Sequence, residues 1–139
     1  MNRPQELCYC QAARRSARFL SRIYDRHLSP TGLNVQQFSI LSLIAANEGV
    51  TIAALADEMV IDRTTLVRAL KPLQDSGFVS TKPAGKWGSL SLKLTRDGKK
   101  RVLDGDSLWQ DAQREFEAKF GKVRAGQLRE EMKQAFATE

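Results

Sequence analysis

Residues 51–95 constrain the fold of this chain more than any other segment. They contain two short stretches in which apolar side chains recur at helical spacing, and a capping residue, Thr51 or Asp62, precedes each stretch. Only Val60 and Ile61 separate the first stretch from the cap of the second. The two predicted helices must therefore meet through a tight turn.

The periodicity changes after the second predicted helix. Gly77 ends that helix, residues 78–82 have strand character, and residues 89–94 alternate strictly between leucine and polar side chains. The alternation places three leucines on one face of the second strand: Leu90, Leu92 and Leu94. Residues 83–88 are the predicted tip of a hairpin. Two capped helices followed at once by a hairpin are the layout of a winged helix-turn-helix.

Helical patterns flank this segment on both sides. Residues 5–28 contain neither glycine nor proline, and a further helix begins after the capping residue Asn34. Thr95 caps a long helix that runs to about Phe120, and a last helix follows the break at Gly121. The predicted order is four helices, a hairpin and two helices, so the fold class is mainly α with a small β-hairpin.

We expect residues 1–139 to form a single domain, because this length suits one hydrophobic core. The winged helix-turn-helix occupies about residues 34–95. The predicted helices at about 5–28 and 96–137 have large apolar faces, and too little protein remains to cover them. These helices are therefore predicted to flank the core and to form the interface of a homodimer.

Charge and hydropathy narrow the classes of partner. The net charge of +6 favours polyanions such as nucleic acid or an anionic membrane surface. No stretch approaches the roughly 18 unbroken apolar residues of a membrane span, and residues 1–11 lack a signal-peptide core. We expect a cytoplasmic protein that has no membrane partner.

The ingredients of a catalytic or metal site are scarce. Cys8 and Cys10 are one residue apart, a spacing that suits neither a zinc site nor a disulfide framework. His27 is the only histidine, so a catalytic triad is not predicted. We expect no cofactor, no metal and no enzymatic activity, and a thiol enzyme ranks last among the functions considered.

Polar side chains gather at the start of the second helix of the helix-turn-helix. A recognition helix needs hydrogen-bonding groups at its N-terminal end, because that end enters the major groove of DNA. The candidates for base contact are Arg63, Thr64, Thr65 and Arg68. Lys71, farther along the helix, is a candidate for phosphate contact.

The predicted hairpin is basic. It carries Lys82, Lys86 and Lys93, with Trp87 and glycines at its tip. A slim basic tip suits the minor groove or the phosphate backbone. The alternative is that these lysines are solvated charges on an ordinary hairpin, but their position directly after a capped helix pair favours DNA contact.

Basic residues also line the first helix. The arginines within residues 14–26 are expected to be solvated or paired with acidic residues of the long helices, with an anionic effector as the alternative partner. His27, near the C-terminal end of this helix, is expected to interact with the last carbonyl groups.

Residues 33–104 closely resemble the MarR family of regulators. The resemblance lies in the runs Leu-Ala-Asp-Glu-Met (55–59), Asp-Arg-Thr-Thr-Leu-Val-Arg (62–68), Leu-Lys-Pro-Leu (70–73), Ser-Gly-Phe-Val (76–79) and Leu-Thr-Arg-Asp-Gly (94–98). It implies a dimeric DNA-binding regulator, usually a repressor, that is often released by a small molecule or an oxidant. Residues 86–88, Lys-Trp-Gly, stand where the family commonly has Asp-Arg-Arg, so the usual arginine of the wing is missing.

The N-terminal helix also resembles that of the organic-hydroperoxide-sensing repressors within this family. Aligned without gaps, Cys10 falls on their reactive cysteine, Tyr24 on a tyrosine partner and Phe38 on the tyrosine of a Pro-Gln-Tyr segment. Arg14 and Val35 stand where further tyrosines are expected. The candidate redox or effector site is therefore Cys10, Arg14, Tyr24 and Phe38, with Arg14 placed to favour a thiolate. The alternative, which we favour, is a small apolar cysteine at a dimer interface.

Two functions from different classes remain. The leading one is sequence-specific binding of double-stranded DNA by a homodimer on a pseudo-palindromic operator, because one helix-turn-helix reads only a few base pairs. The alternative is a winged-helix module that binds another protein. Salt dependence distinguishes the two, since phosphate contacts make affinity fall steeply as salt rises.

Overall fold

The structure, a computed structural model, describes residues 8–85 and 88–137. Over these residues the chain forms six α-helices, a short 3-10 turn and one antiparallel pair of strands. The elements are α1 (Tyr9–Leu28), the turn (Ser29–Thr31), α2 (Val35–Ala46), α3 (Ile52–Met59), α4 (Arg63–Asp75), β1 (Val79–Pro83), β2 (Leu90–Leu94), α5 (Arg96–Phe120) and α6 (Lys122–Ala137). The predicted fold class and the predicted order of elements are confirmed.

Side-chain caps begin the helices where the sequence predicts them. The Asn34 side chain accepts from the Gln37 backbone amide at 2.8 Å, and the Gln37 side chain accepts from the Asn34 amide at 3.0 Å, which completes a capping box. The Thr51 hydroxyl accepts from the Ala54 amide at 3.1 Å. The Thr95 hydroxyl accepts from the Gly98 amide at 3.1 Å. These bonds satisfy donors that a helix leaves free at its first turn.

Residues 31–106 form one compact unit, called here the central unit. It contains α2, α3, α4, both strands and the first part of α5. Its core is closed, because eight large apolar side chains are almost fully buried there: Ile40, Leu41, Ile44, Leu55, Leu66, Leu70, Leu73 and Leu92. The central unit therefore contains most of the fully buried apolar side chains of the described residues.

A second compact unit, called here the terminal unit, takes its described residues from 8–30 and 107–137. It contains α1, the remainder of α5 and α6. Among its described residues, the buried apolar side chains are Ile23, Leu28, Ala112 and Ala125. This unit thus leaves much of its apolar surface exposed. That the two units act as a single domain stays a prediction.

The hairpin departs in part from the predicted alternation. Leu92 and Leu94 are buried as expected, but Leu90 is 38% exposed and Ser91 is buried. The reason is a third chain segment beside β2: the Leu92 amide donates to the Val50 carbonyl at 2.8 Å, and Thr51 forms an isolated bridge with Ser91. Ser91 therefore has chain on both sides, whereas Leu90 lies past this segment toward the hairpin tip.

Two glycines allow α5 to approach the rest of the central unit closely. A Cβ atom at Gly98 would overlap the Phe78 carbonyl group, and one at Gly105 would overlap the Phe38 ring. The junction is also tied by the Thr95 amide, which donates to the Phe78 carbonyl at 3.0 Å. The first half of α5 is thereby packed against the winged helix-turn-helix.

Over residues 8–85 and 88–137, no helix combines the length and apolar character needed to cross a membrane. Within the same ranges, no three histidine, cysteine, aspartate or glutamate side chains lie close enough together to hold a metal ion.

Candidate nucleic-acid interface

The turn between α3 and α4 is closed by backbone hydrogen bonds. Val60 adopts a left-handed conformation, with φ of 57°, and its amide donates to the last turn of α3. The Ile61 amide donates to the Ala56 carbonyl at 3.0 Å. Such a conformation is costly for a β-branched residue, so the surrounding helices must hold it in place. The two helices consequently meet through the tight turn that the sequence predicts.

Helix α4 has two chemically different faces. Leu66, Leu70 and Leu73 are buried in the central unit. All five residues proposed for DNA contact on this helix are exposed: Arg63, Thr64, Thr65, Arg68 and Lys71. Thr64, Arg68 and Lys71 follow one another at spacings of four and three, so their side chains are neighbours on the helix surface. The exposed face thus presents cations and a hydroxyl together.

An ionised carboxylate anchors the start of α4. The Asp62 carboxylate accepts from the Thr65 backbone amide at 2.6 Å. Hydrogen bonds from the Thr65 amide and the Thr65 hydroxyl lower the pKa of Asp62 below its usual value. The Thr65 side chain therefore helps to cap the helix. Of the two threonines proposed for base contact, Thr64 is the one whose hydroxyl is not part of this cap.

Two of the three lysines proposed on the hairpin lie among the described residues. Lys82 pairs with Ser91 and Lys93 pairs with Ser80 across the strands, and both lysines are exposed. Residues directly opposite in an antiparallel pair share a face, so these two lysines are diagonal neighbours on one side of the hairpin. Lys86, proposed at the tip, lies outside the described residues, as does Trp87.

Lys71 has an ionic neighbour. Its ammonium group lies 3.6 Å from the Asp75 carboxylate, and both side chains are largely exposed. Exposed pairs at this spacing are worth only about 0.3–0.5 kcal/mol. The pair is therefore weak enough for Lys71 to exchange Asp75 for a phosphate.

A groove lies between α4 and the end of the hairpin near its tip. Arg63 and Val67 line one side, and residues 51–53 and 88–90 line the others. Val67 is 50% exposed in this groove. Val67 was not predicted to belong to this surface, because an apolar residue in an amphipathic helix is ordinarily assigned to the core. The signal in the sequence was its position four residues after Arg63, on the same helical face.

The proposed redox or effector residues are distributed over both units. Cys10 and Arg14 are exposed on the first turns of α1, and Cys8, also exposed, accepts a hydrogen bond from the Gln11 amide at 3.3 Å. Tyr24 lies 14 residues beyond Cys10 on the same helix, or about 21 Å along its axis. Within one chain these two side chains do not meet. Phe38 is buried in the central unit against Gly105.

Tyr24 has a defined environment inside the terminal unit. Its hydroxyl donates to the Gln113 side chain. Partial burial raises the pKa of Tyr24, Arg129 opposes the rise, and Glu117 adds to it. The phenol is therefore neutral at physiological pH and acts as a hydrogen-bond donor to α5.

One carboxylate on α5 joins the end of α1. The Arg26 guanidinium contacts both oxygens of Glu115, at 2.7 and 2.8 Å, and His27 lies 3.0 Å from Glu115. Hydrogen bonds from Arg26 and then His27 lower the pKa of Glu115 to about 2. The expected pairing of an α1 arginine with a long helix is confirmed for Arg26. The imidazole of His27 contacts this carboxylate, a partner that the sequence did not predict, and its expected interaction with the last carbonyl groups stays a prediction.

Comparison with known proteins places this arrangement among transcription regulators. The sequence model of the MarR family matches residues 31–86. No curated protein matches the chain. The M. tuberculosis transcriptional regulator MosR is 32% identical, and the alignment covers 98% of this chain and all of that one with a TM-score of 0.81.

Two solved complexes with DNA are also similar. MosR from M. tuberculosis bound to DNA is 30% identical over 95% of this chain and 99% of that one, with a TM-score of 0.78. A mutant of E. coli MarR bound to operator DNA is 21% identical over 90% of this chain and 91% of that one, with a TM-score of 0.80, which is a similarity of fold.

Proposed function

Because this chain belongs to the MarR family of transcription regulators, we propose that it binds a specific duplex DNA sequence through α4 and the β1–β2 hairpin. One observation carries the proposal: the start of α4 presents Arg63, Thr64 and Arg68 as exposed side chains, with Thr64 and Arg68 on the side opposite the buried leucines. The guanidinium fork of arginine matches the paired acceptors of a guanine edge, and threonine suits either kind of base-edge group. The proposal therefore places the first turns of α4 in the major groove.

The hairpin and Lys71 supply the part of binding that does not depend on sequence. Lys82 and Lys93 share one side of the hairpin, and each has a flexible cationic side chain. Ammonium groups bind phosphate as point charges, which positions a protein on DNA without reading bases. In this proposal the wing contributes affinity and salt dependence, whereas α4 contributes selectivity. The proposed contact by Lys86 would act in the same way.

We further propose that the working form is a homodimer. The terminal unit has an apolar groove between α1, the end of α5 and α6; its apolar wall includes Phe19, Phe116, Phe120, Leu128 and Met132. Phe19 is 49% exposed in the single chain. Burial of such side chains is worth about 1.5–3 kcal/mol each, which favours a second copy on this surface. Two copies present two α4 helices, so the operator is expected to be pseudo-palindromic.

The repressor role, and release by a small molecule or an oxidant, are proposed from the family resemblance alone. Occupation of an operator by a regulator of this size blocks access by other proteins to the same DNA. The candidate residues for signal binding remain Cys10, Arg14, Tyr24 and Phe38. Since Cys10 and Tyr24 are about 21 Å apart along α1, a site that used both would need residues from a second copy.

The decisive experiment selects bound duplexes from a random pool with the full-length protein. We expect a recovered sequence with two-fold symmetry, and half-sites separated by about one turn of DNA. Salt titrations on this duplex and on a scrambled duplex follow. We expect a steep fall of affinity on both, with tighter binding to the selected duplex throughout. Recovery of no preferred duplex, together with affinity that does not depend on salt, would instead favour a protein-binding module.

A further inference from the structure

One large aliphatic side chain lies among the cations and hydroxyls on the outward face of α4. Val67 is 50% exposed, whereas Leu66, Leu70 and Leu73 are buried. Valine is a poor helix former, because branching at Cβ restricts its rotamers in a helix. Half of the Val67 side chain therefore stays open to solvent at a position where valine does not favour the helix.

The neighbours of Val67 are those proposed to contact DNA. Arg63 and Thr64 lie one turn before it and Lys71 lies one turn after it, and all three are exposed. Arg63 and Val67 also line the same groove, which Leu90 lines as well. Val67 is thus an apolar part of a surface whose other side chains are suited to a polyanion.

The chemistry of the major groove offers one apolar partner for such a side chain. Thymine presents a C5-methyl group there, whereas adenine, guanine and cytosine present hydrogen-bonding groups. Valine has neither donor nor acceptor, so against those groups it removes water without replacing the hydrogen bond. Against a thymine methyl it loses nothing and buries apolar surface on both sides.

We infer that Val67 reads the methyl group of a thymine in each operator half-site. This inference rests on the proposed function, because it requires α4 to enter the major groove. It adds a requirement that the polar residues do not impose: the half-site contains a T·A pair at the position that Val67 faces, beside the base pairs contacted by the neighbouring arginines.

Replacement of thymine by uracil tests this directly, since it removes the methyl group and keeps every hydrogen-bonding group of the base. Each thymine of the selected duplex is replaced singly, and binding is measured with the full-length protein. One buried methyl group is worth about a fourfold change in affinity. We expect uracil to weaken binding about fourfold at one symmetry-related position per half-site.

The variant Val67→Ala identifies the side chain responsible. Because Val67 is half exposed, the variant is expected to fold, which circular dichroism verifies. Because the variant alters both copies of the dimer, it should bind the thymine duplex about 16-fold more weakly than the wild type, or about fourfold per half-site, and should show no further loss on the uracil duplex. Leu103→Ala is the matched control: Leu103 is 76% exposed in the same unit but lies on α5, so this variant should keep the sensitivity to uracil.

The outcomes of these experiments distinguish a failure of the inference about Val67 from a failure of the proposed sequence-specific DNA binding. A selected duplex that shows no sensitivity to uracil at any position would overturn the inference and leave specific binding intact. Equal uracil losses in the wild type and in Val67→Ala would do the same, because another residue would then contact the methyl. If no duplex is bound more tightly than its scrambled counterpart, the proposed function and the inference both fail.

Discussion

The central and terminal units differ in how completely they bury their apolar side chains. Within the central unit, helices α2, α3 and α4 and strand β2 bury apolar side chains almost completely, as at Ile40, Leu41 and Leu66. The terminal unit is also built from helices that carry large apolar side chains, yet Phe19, Trp109 and Phe136 remain exposed. Monomeric proteins rarely leave a contiguous apolar patch uncovered.

The difference shows which part of the molecule is complete in one chain. The central unit has the closed core that a rigid DNA reader needs, because side chains held at a groove depend on a fixed scaffold. The terminal unit has an open apolar groove that suits an interface with a second copy. Changes to the central unit should therefore alter stability or base reading, whereas changes to the terminal unit should alter assembly.

The largest effect is expected from a cavity in the central unit. Leu41→Ala removes most of a side chain that is fully buried in α2, so the free energy of unfolding should fall by about 3 kcal/mol. Urea denaturation followed by circular dichroism, at one fixed protein concentration, measures the change. Leu103→Ala should shift it by less than about 0.5 kcal/mol. Equal losses in the two variants would show that the core is not closed as described.

The next effect concerns assembly. Phe19→Asp places a charge in the apolar groove of the terminal unit, and burial of that charge against a second copy is unfavourable. We expect the dimer dissociation constant to rise at least about 30-fold, or about 2 kcal/mol. Sedimentation equilibrium measures it, and Phe19→Leu should stay dimeric. Persistence of the wild-type dimer in Phe19→Asp would place the interface elsewhere.

Effects of intermediate size are expected from variants that distinguish contacts to bases from contacts to phosphates. Arg68→Ala should narrow the preference for operator over scrambled DNA about tenfold per half-site, since each arginine on a guanine edge is worth about 1–3 kcal/mol. Arg68→Lys keeps the charge but loses the guanidinium fork, so it should narrow the preference similarly. Lys82→Ala should weaken both duplexes alike and reduce the salt slope by about one unit for each copy of the chain. An unchanged preference in Arg68→Ala would mean that α4 does not read bases there.

A smaller effect depends on pH and arises in the terminal unit. The pKa of Glu115 is about 2 in the folded chain, below its usual value of 4.5, because of Arg26 and His27. The stabilisation from this carboxylate is fully present above about pH 4.5 and is lost as pH falls toward 2. Glu115→Gln should therefore be less stable than the wild type at pH 6, and the difference should shrink as pH falls. Denaturation at a series of pH values checks this; a difference that grows toward low pH would contradict it.

The last prediction is that oxidation by peroxide has no effect on DNA binding. Peroxide should leave the affinity for the operator unchanged, because Cys10 is proposed to be an apolar contact rather than a sensor. Binding assays before and after treatment, on the wild type and on Cys10→Ser, measure this. If peroxide releases the wild type and spares Cys10→Ser, Cys10 is the sensor and the alternative site with Arg14 and Tyr24 gains support.

The local features of the fold were predictable because each arises from neighbours in sequence. Thr51, Asp62 and Thr95 cap helices through hydrogen bonds that span only three residues. The contact between Thr51 and Ser91 joins residues 40 positions apart, and a single bridge leaves no periodic pattern. That is why the burial of Ser91 and the exposure of Leu90 were not foreseen.

The polar residues of the candidate DNA-binding site could be predicted from the sequence. Arginine, threonine and lysine at the start of a capped helix after a tight turn indicate a recognition helix on residue type alone. Val67 was missed because an apolar residue in an amphipathic helix is ordinarily assigned to the core. Its exposure beside Arg63 distinguishes it from the buried Leu66, the residue before it.

By itself, the sequence determined the order of the elements, the family to which the chain belongs, and the basic character of the surface that α4 and the hairpin are proposed to present to DNA. Tertiary structure decided which apolar faces are covered. Phe38 and Phe19 both lie on helices, but Phe38 is buried against Gly105 of α5, whereas Phe19 is half exposed and lines an open groove. The physical reason is that periodicity specifies the direction in which a side chain points from its helix, while burial depends on what other parts of the chain bring against that face.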